Sequence, residues 1–199
     1  MLFNLAHSYC EAINQGAVPS IESSWSYICK NQCQKAVEDS VTKFEHYFHD
    51  EFVKNAPMFE DELRQIYKDA RKCTKEGFNK IAVGDVKEEY YAILKDKMEI
   101  KYKEYKTENE KTCEHDCAMF LHQTFLPIES KLRAQEYDSL HQLTDDLKEF
   151  QQYCFDKGPA GPNRESIVQE FCYKNLSEAC EFFLKSLSNE VNLQKELAD

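Results

Sequence analysis

Sulfur offers the first candidates for chemistry in this sequence. Nine cysteines stand at positions 10, 29, 33, 73, 113, 117, 154, 172 and 180. Two pairs, Cys29/Cys33 and Cys113/Cys117, have the spacing C-x-x-x-C, which on a helix puts both thiols on one face. Such a pair could give a metal ion two ligands, or form the two halves of a redox couple. Structural zinc more commonly takes C-x2-C knuckles on turns, with four ligands converging. Free cysteine is also among the most buried residue types. An odd count scattered through helical segments is poor material for a disulfide framework and fits a reducing compartment. The thiols are therefore expected to fill a core, with a Cys-based metal or redox sensor as the alternative.

Histidine offers less. His46 and His49 lie in Glu45-His46-Tyr47-Phe48-His49-Asp50. Two histidines at i and i+3 can ligate a metal, but no H-E-x-x-H pattern specifies zinc or its general base, so a solvated helix face is expected. His115, His122 and His141 have no recognisable nucleophile or orienting partner. There is no G-x-S-x-G, and no Lys-Ser/Thr follows Gly77 or Gly84 as a phosphate-binding P-loop requires. No catalytic residue, no cofactor-binding residue, no metal ligand and no cofactor is assigned, and the chain is expected not to be an enzyme.

Helices must position all of these groups. Apolar residues recur at steps of three and four almost throughout, whereas five Gly and five Pro among 199 residues are too few for the frequent turns of an all-β chain. A first helix is predicted from about Leu2 to Asn14. A second, of about 33 residues and some 50 Å, runs from the cap Ser20 to before Pro57. A third, heptad-like, runs from Phe59 to Ile81 and stops at Val83-Gly84-Asp85, where Asp85 can cap the next. The fourth spans Val86 to about Arg133, with a break expected in the polar run Lys106–Lys111 and a kink at Pro127. A fifth carries Leu140, Leu143, Leu147, Phe150 and Cys154. The cluster Lys157-Gly158-Pro159-Ala160-Gly161-Pro162 is the clearest hinge, and a last helix carries Ile167 to Val191. Thirteen Phe and eleven Tyr follow the same stripes as Leu and Ile, so they read as core between long helices. The basic stretch Lys95–Lys106 interleaves Glu99 and Glu104 and reads as a solvated ion-pair face.

Charge and composition narrow the function classes. With 25 Lys+Arg against 36 Asp+Glu the net charge is −11, which repels phosphate and speaks against a general nucleic-acid binder. No stretch approaches the roughly 20 apolar residues that span a bilayer. Met1 to Cys10 has neither the basic n-region nor the long h-region of a secretion signal, so a cytoplasmic location is expected.

Three stretches resemble one family. Gly16-Ala17-Val18-Pro19-Ser20-Ile21-Glu22-Ser23-Ser24-Trp25 resembles the G-x-x-P-x-[MI]-E-x-[AS] opening of the helical domain of guanylate-binding proteins. These are large interferon-inducible-type GTPases of the dynamin superfamily, related to atlastins. Cys117-Ala118-Met119-Phe120-Leu121 through Phe125-Leu126-Pro127-Ile128-Glu129 is similar to the family's C-x-x-L-L-x-x-x-F-x-P-L-E segment. Lys157-Gly158 before the last helix resembles its K-G turn. The motif residues are thus Gly16, Pro19, Glu22, Trp25, Cys117, Pro127, Glu129 and Gly158, all in structural roles. Gly16 is expected at positive φ, Pro19 at a sharp turn, and Trp25 as an anchor of the second helix against the first or third.

The resemblance implies an all-α, elongated stack of two consecutive bundles built from about six helices, some very long. Residues 1–135 would form the first bundle, and 136–199 the second with the start of a distal helix. It also implies a non-catalytic stalk or scaffold that binds protein partners or self-associates. The alternative is the stalk part of a larger GTPase whose head, absent from these residues, hydrolyses GTP. No C-a-a-X box supports prenyl anchoring, and the loop after Gly158 is richer in proline than the family pattern.

Overall fold

The computed structural model describes residues 2–14 and 21–196, and among them every regular element is an α-helix. These are α1 (Leu2–Asn14), α2 (Ile21–Asn55), α3 (Glu60–Ile81), α4 (Lys87–Arg133), α5 (Leu140–Lys157) and α6 (Arg164–Glu196). Charge at their ends suits the helix macrodipole: Glu60, Asp61 and Glu62 open α3, Glu88 and Glu89 open α4, and Lys131 and Arg133 close it. Asp85 lies two residues before the first residue of α4, so it is not the cap that the sequence suggested; there the Lys87 N–H donates to the Gly84 carbonyl at 3.3 Å.

α4 contains 47 residues, about 70 Å at 1.5 Å per residue. The break expected at Lys106–Lys111 does not occur. The hydroxyls of Thr107 and Thr112 donate to the carbonyls of Lys103 and Glu108, and Lys106 pairs with Glu60 at 2.8 Å. Lys106, Thr107 and Asn109 of the run have side-chain partners, and the helix continues through it. Pro127 likewise lies inside α4 without terminating it.

The chain divides into two compact units, Met1–Asn55 with Glu60–Thr107, and Ala56–Phe59 with Glu108–Asp199. The division falls within α4, whereas the family resemblance implied a first bundle of residues 1–135. Leu143, Leu147, Val168 and Cys172 share one core with Leu121, Phe125 and Leu132 of α4.

In the first unit α2, α3 and the start of α4 run up, down and up, with α1 packed on α2. Its core is aromatic. Phe44 stacks on Phe48 at 5.6 Å and meets Tyr67 edge-on at 6.0 Å, and Tyr67 stacks on Tyr102 at 4.4 Å. The buried Tyr67 hydroxyl donates to Glu99 at 2.9 Å; burial first, then that carboxylate, push its pKa up to about 12.

In the second unit the rest of α4, α5 and α6 repeat the up-down-up course. Ser139 caps α5, its hydroxyl accepting from the Gln142 N–H, while the Gln142 side chain accepts from the Asp138 N–H. Arg164 donates to the carbonyls of Cys154 and Phe155 near the other end of α5. Between α4 and α5, Tyr137 donates to Asp146 at 2.9 Å and Lys131 pairs with the same carboxylate at 2.8 Å. Asn109, 1% exposed, fixes the segment Ala56–Phe59: its Oδ1 accepts from Met58 N at 2.9 Å and its Nδ2 donates to Met58 O at 2.8 Å.

Two predictions follow from these contacts. Asn109→Leu leaves both buried Met58 groups without partners and should cost about 2–4 kcal/mol in urea denaturation; a loss below 0.5 kcal/mol, on the order of an ordinary surface change, would show that Met58 is paired otherwise. Lys131's hydrogen bond, against the opposing effect of burial and helped by Tyr137, holds the Asp146 pKa below the usual carboxylate value. Its contribution is therefore full above the unfolded pKa and disappears as pH falls through the folded one. The stability gap between wild type and Asp146→Asn should be constant near neutral pH and shrink in acid; a gap that does not change with pH would contradict this.

Candidate interaction surfaces on the last helix

The thiols come first, because their spacing suggested chemistry. Cys29, Cys33, Cys113, Cys117, Cys154 and Cys172 are all buried and free. The Cys33 thiol donates to Val83 O at 3.3 Å, and Cys113 donates to Pro162 O at 3.1 Å. Gly84 (φ +81°) and Gly161 (φ +144°) lie so close that a Cβ on either would stand 2.5 Å from the sulfur of Cys29 or Cys113. Cys113 and Cys117 place their sulfurs 3.8 Å apart. Among the described residues no three His, Cys, Asp or Glu side chains converge as metal ligands would.

Burial pushes the Cys113 and Cys154 thiols up to about 12, with the neighbouring Cys117 and Cys172 adding to the shift, and raises Cys117 and Cys172 as well. In Cys29 burial again leads, followed by Cys33 and Asp85. Since the thiolate is the nucleophile and the ligand, these groups are held in their unreactive form.

The other motif residues have ordinary surroundings. Gly16 and Pro19 lie outside the described residues. Glu22 is exposed in the first turn of α2, where its charge suits the helix N-terminus. Trp25 is 38% exposed, while Ile28 and Cys29, one turn later, are buried. Cys117 is buried, and Glu129 pairs with Arg133 across one turn of α4. Gly158 follows α5 with its N–H donating to Cys154 O at 3.0 Å, and a Cβ there would stand 2.6 Å from that carbonyl. His46 and His49 are exposed, with His49 Nδ1 3.4 Å from the Tyr105 hydroxyl.

α6 leaves large apolar side chains exposed on both sides of its buried line. Its core line is Val168, Cys172, Ala179 and Phe183, all buried. On one flank Phe182, 48% exposed, borders a groove of about 330 Å³ whose α4 wall includes Phe125 and Leu132. On the opposite flank Tyr173, Leu184 and Leu187 are 82%, 52% and 40% exposed, with Leu176 and Cys180 half-buried between them. α4 and α5 cover the buried line of this arc, and its two flanks stay exposed. The sequence carried a signal that went unread: Phe182-Phe183-Leu184 are consecutive, and three consecutive residues of a helix cannot share one face.

The family model described as guanylate-binding protein, C-terminal domain, matches residues 1–171. The chain belongs to that family. Among curated proteins none matches it. Both flanks of α6 just described, from Tyr173 to Leu187, lie past the matched residues of this guanylate-binding protein C-terminal domain.

If the thiols are filling, Cys117→Ala should lower stability by about 1 kcal/mol through a small cavity, with a melting temperature that chelator does not move in either protein. A wild-type melting temperature that falls with chelator, or stoichiometric zinc after purification, would overturn the reading.

Proposed function

We propose that this chain acts as a non-catalytic helical scaffold, a stalk-like module that self-associates through α6. The stripe Tyr173, Leu176, Cys180, Leu184 and Leu187 carries the reading. Its steps of three, four, four and three average one apolar residue every 3.5, the repeat that lets one helix pack along another as a coiled coil. Glu181 and Lys185 pair at 3.8 Å across one turn of α6, on the solvent side of the helix. A second copy buries the stripe with no partner of different sequence. The net charge of −11 opposes that pairing, so added salt should strengthen it.

A second reading is favoured by the family match itself, because the matching model describes a C-terminal domain. In it the same helices form the stalk of a larger GTPase, whose P-loop lies in a head and whose nucleotide state reaches the stalk. A cytoplasmic setting suits the nine cysteines, all free. No described helix is long and apolar enough to cross a membrane.

Light scattering over a concentration series checks the first reading. Wild-type chain should approach the mass of a dimer, and the double variant Leu184→Asp with Leu187→Asp should stay monomeric with its helix content unchanged, since both positions are exposed. A wild-type mass that stays monomeric at every concentration, or a double variant that still dimerises, would reject the α6 seam.

A further inference from the structure

We infer that the groove between α4 and α6 docks a short amphipathic helix of another protein, one whose apolar stripe is flanked by lysine and arginine. This goes beyond self-association, because it uses the opposite flank of α6 and a different partner.

The shape argues for a helix. α4 and α6 are the walls, and α5 packs against both from the other side, so one position alongside the three helices is open. A helix laid there would complete a four-helix arrangement by the ridge-and-groove packing that the three already use. The floor is apolar and sealed: Phe125, Leu132 and Ala179 are 8%, 7% and 4% exposed. Phe182 stands at the edge, half in water. At about 330 Å³ the space suits one or two large apolar side chains, the anchors of a helix-in-groove contact.

The polar groups argue against a small polar ligand. Asn175 spends its amide on the Phe171 carbonyl at 2.9 Å, and the His122 ring lies edge-on against Phe171 at 5.3 Å. Neither is a buried, unpartnered group of the kind that orients a small molecule.

Charge decides the kind of helix. On the rim, Arg133 is neutralised by Glu129 one turn away. Glu178 is exposed and has no cation within ion-pair distance among the described residues, so the uncompensated charge of the rim is negative. The whole chain, at −11, adds long-range attraction for a cationic partner and repulsion for a second copy at the same place.

The test is a fluorescence anisotropy titration of the full chain with two labelled peptides. One is a designed 16-residue helix with leucines at alternating steps of three and four and Lys/Arg flanks; the other has Glu at every flanking position. The basic peptide should bind and the acidic one should bind at least about tenfold more weakly; Phe182→Ser and Glu178→Lys should each weaken the basic peptide by about tenfold. Both substitutions fall on exposed side chains, so circular dichroism melting should match wild type. The double variant Leu184→Asp with Leu187→Asp should bind the basic peptide as wild type does, which separates this surface from the dimer seam. No binding, binding indifferent to Phe182→Ser, or equal affinity for the two peptides would overturn the proposal. So would light scattering in which Phe182→Ser, rather than the double variant, dissociates a dimer, because a second copy would then occupy the groove.

Discussion

In each unit a loop lies against a helix at a separation that only a glycine permits, and a thiol on that helix holds the loop in place. Gly84 abuts Cys29 while the adjacent Val83 carbonyl accepts from Cys33; Gly161 abuts Cys113 while the adjacent Pro162 carbonyl accepts from the same sulfur. Both glycines have positive φ, so the backbone as well as the space excludes other residues. Cysteine suits the other side of the contact: it is small, apolar enough for a core, and still a weak donor to a carbonyl that would otherwise be buried unpaired. Alanine would lack the donor, and a larger apolar side chain would push the loop away. The third helix of each unit, α4 or α6, starts a few residues after the loop, so this contact fixes where it begins.

That role accounts for the C-x-x-x-C pairs without assigning them any chemistry. Burial that makes a thiol good filling also raises its pKa, as it does in Cys29, Cys113 and Cys117, and so disfavours the free thiolate. Spacing alone could not distinguish the two uses, because i, i+4 geometry is the same for ligands and for packing. What distinguishes them is the loop that arrives from some fifty residues away, and no local pattern describes it.

The helices were legible for a simple reason: a long amphipathic stripe repeats its signal many times, and Gly84, Gly158 and Pro57 punctuate it. Reading failed where one polar side chain does long-range work. Asn109 sits in a run that looks like a helix break, yet its amide is buried against a peptide group 51 residues away.

α6 is where fold and function meet. A helix that served only its own core would carry one apolar stripe, and Val168, Cys172, Ala179 and Phe183 already provide it. Phe182 on one flank and Leu184 and Leu187 on the other add nothing to that core, and leaving them in water opposes solubility and favours non-specific association. Their placement is also ordered. One side repeats at the coiled-coil spacing, while the groove side has a single aromatic lip over a buried floor and an uncompensated carboxylate. Repetition suits a partner of the same sequence, because each copy offers the same steps to the other. A lone pocket with a charged rim suits a different partner that brings its own anchor. The two flanks of α6 thus differ in kind, a spaced stripe on one side and a pocket with an acidic rim on the other, and the two proposed contacts would not compete for the same side chains.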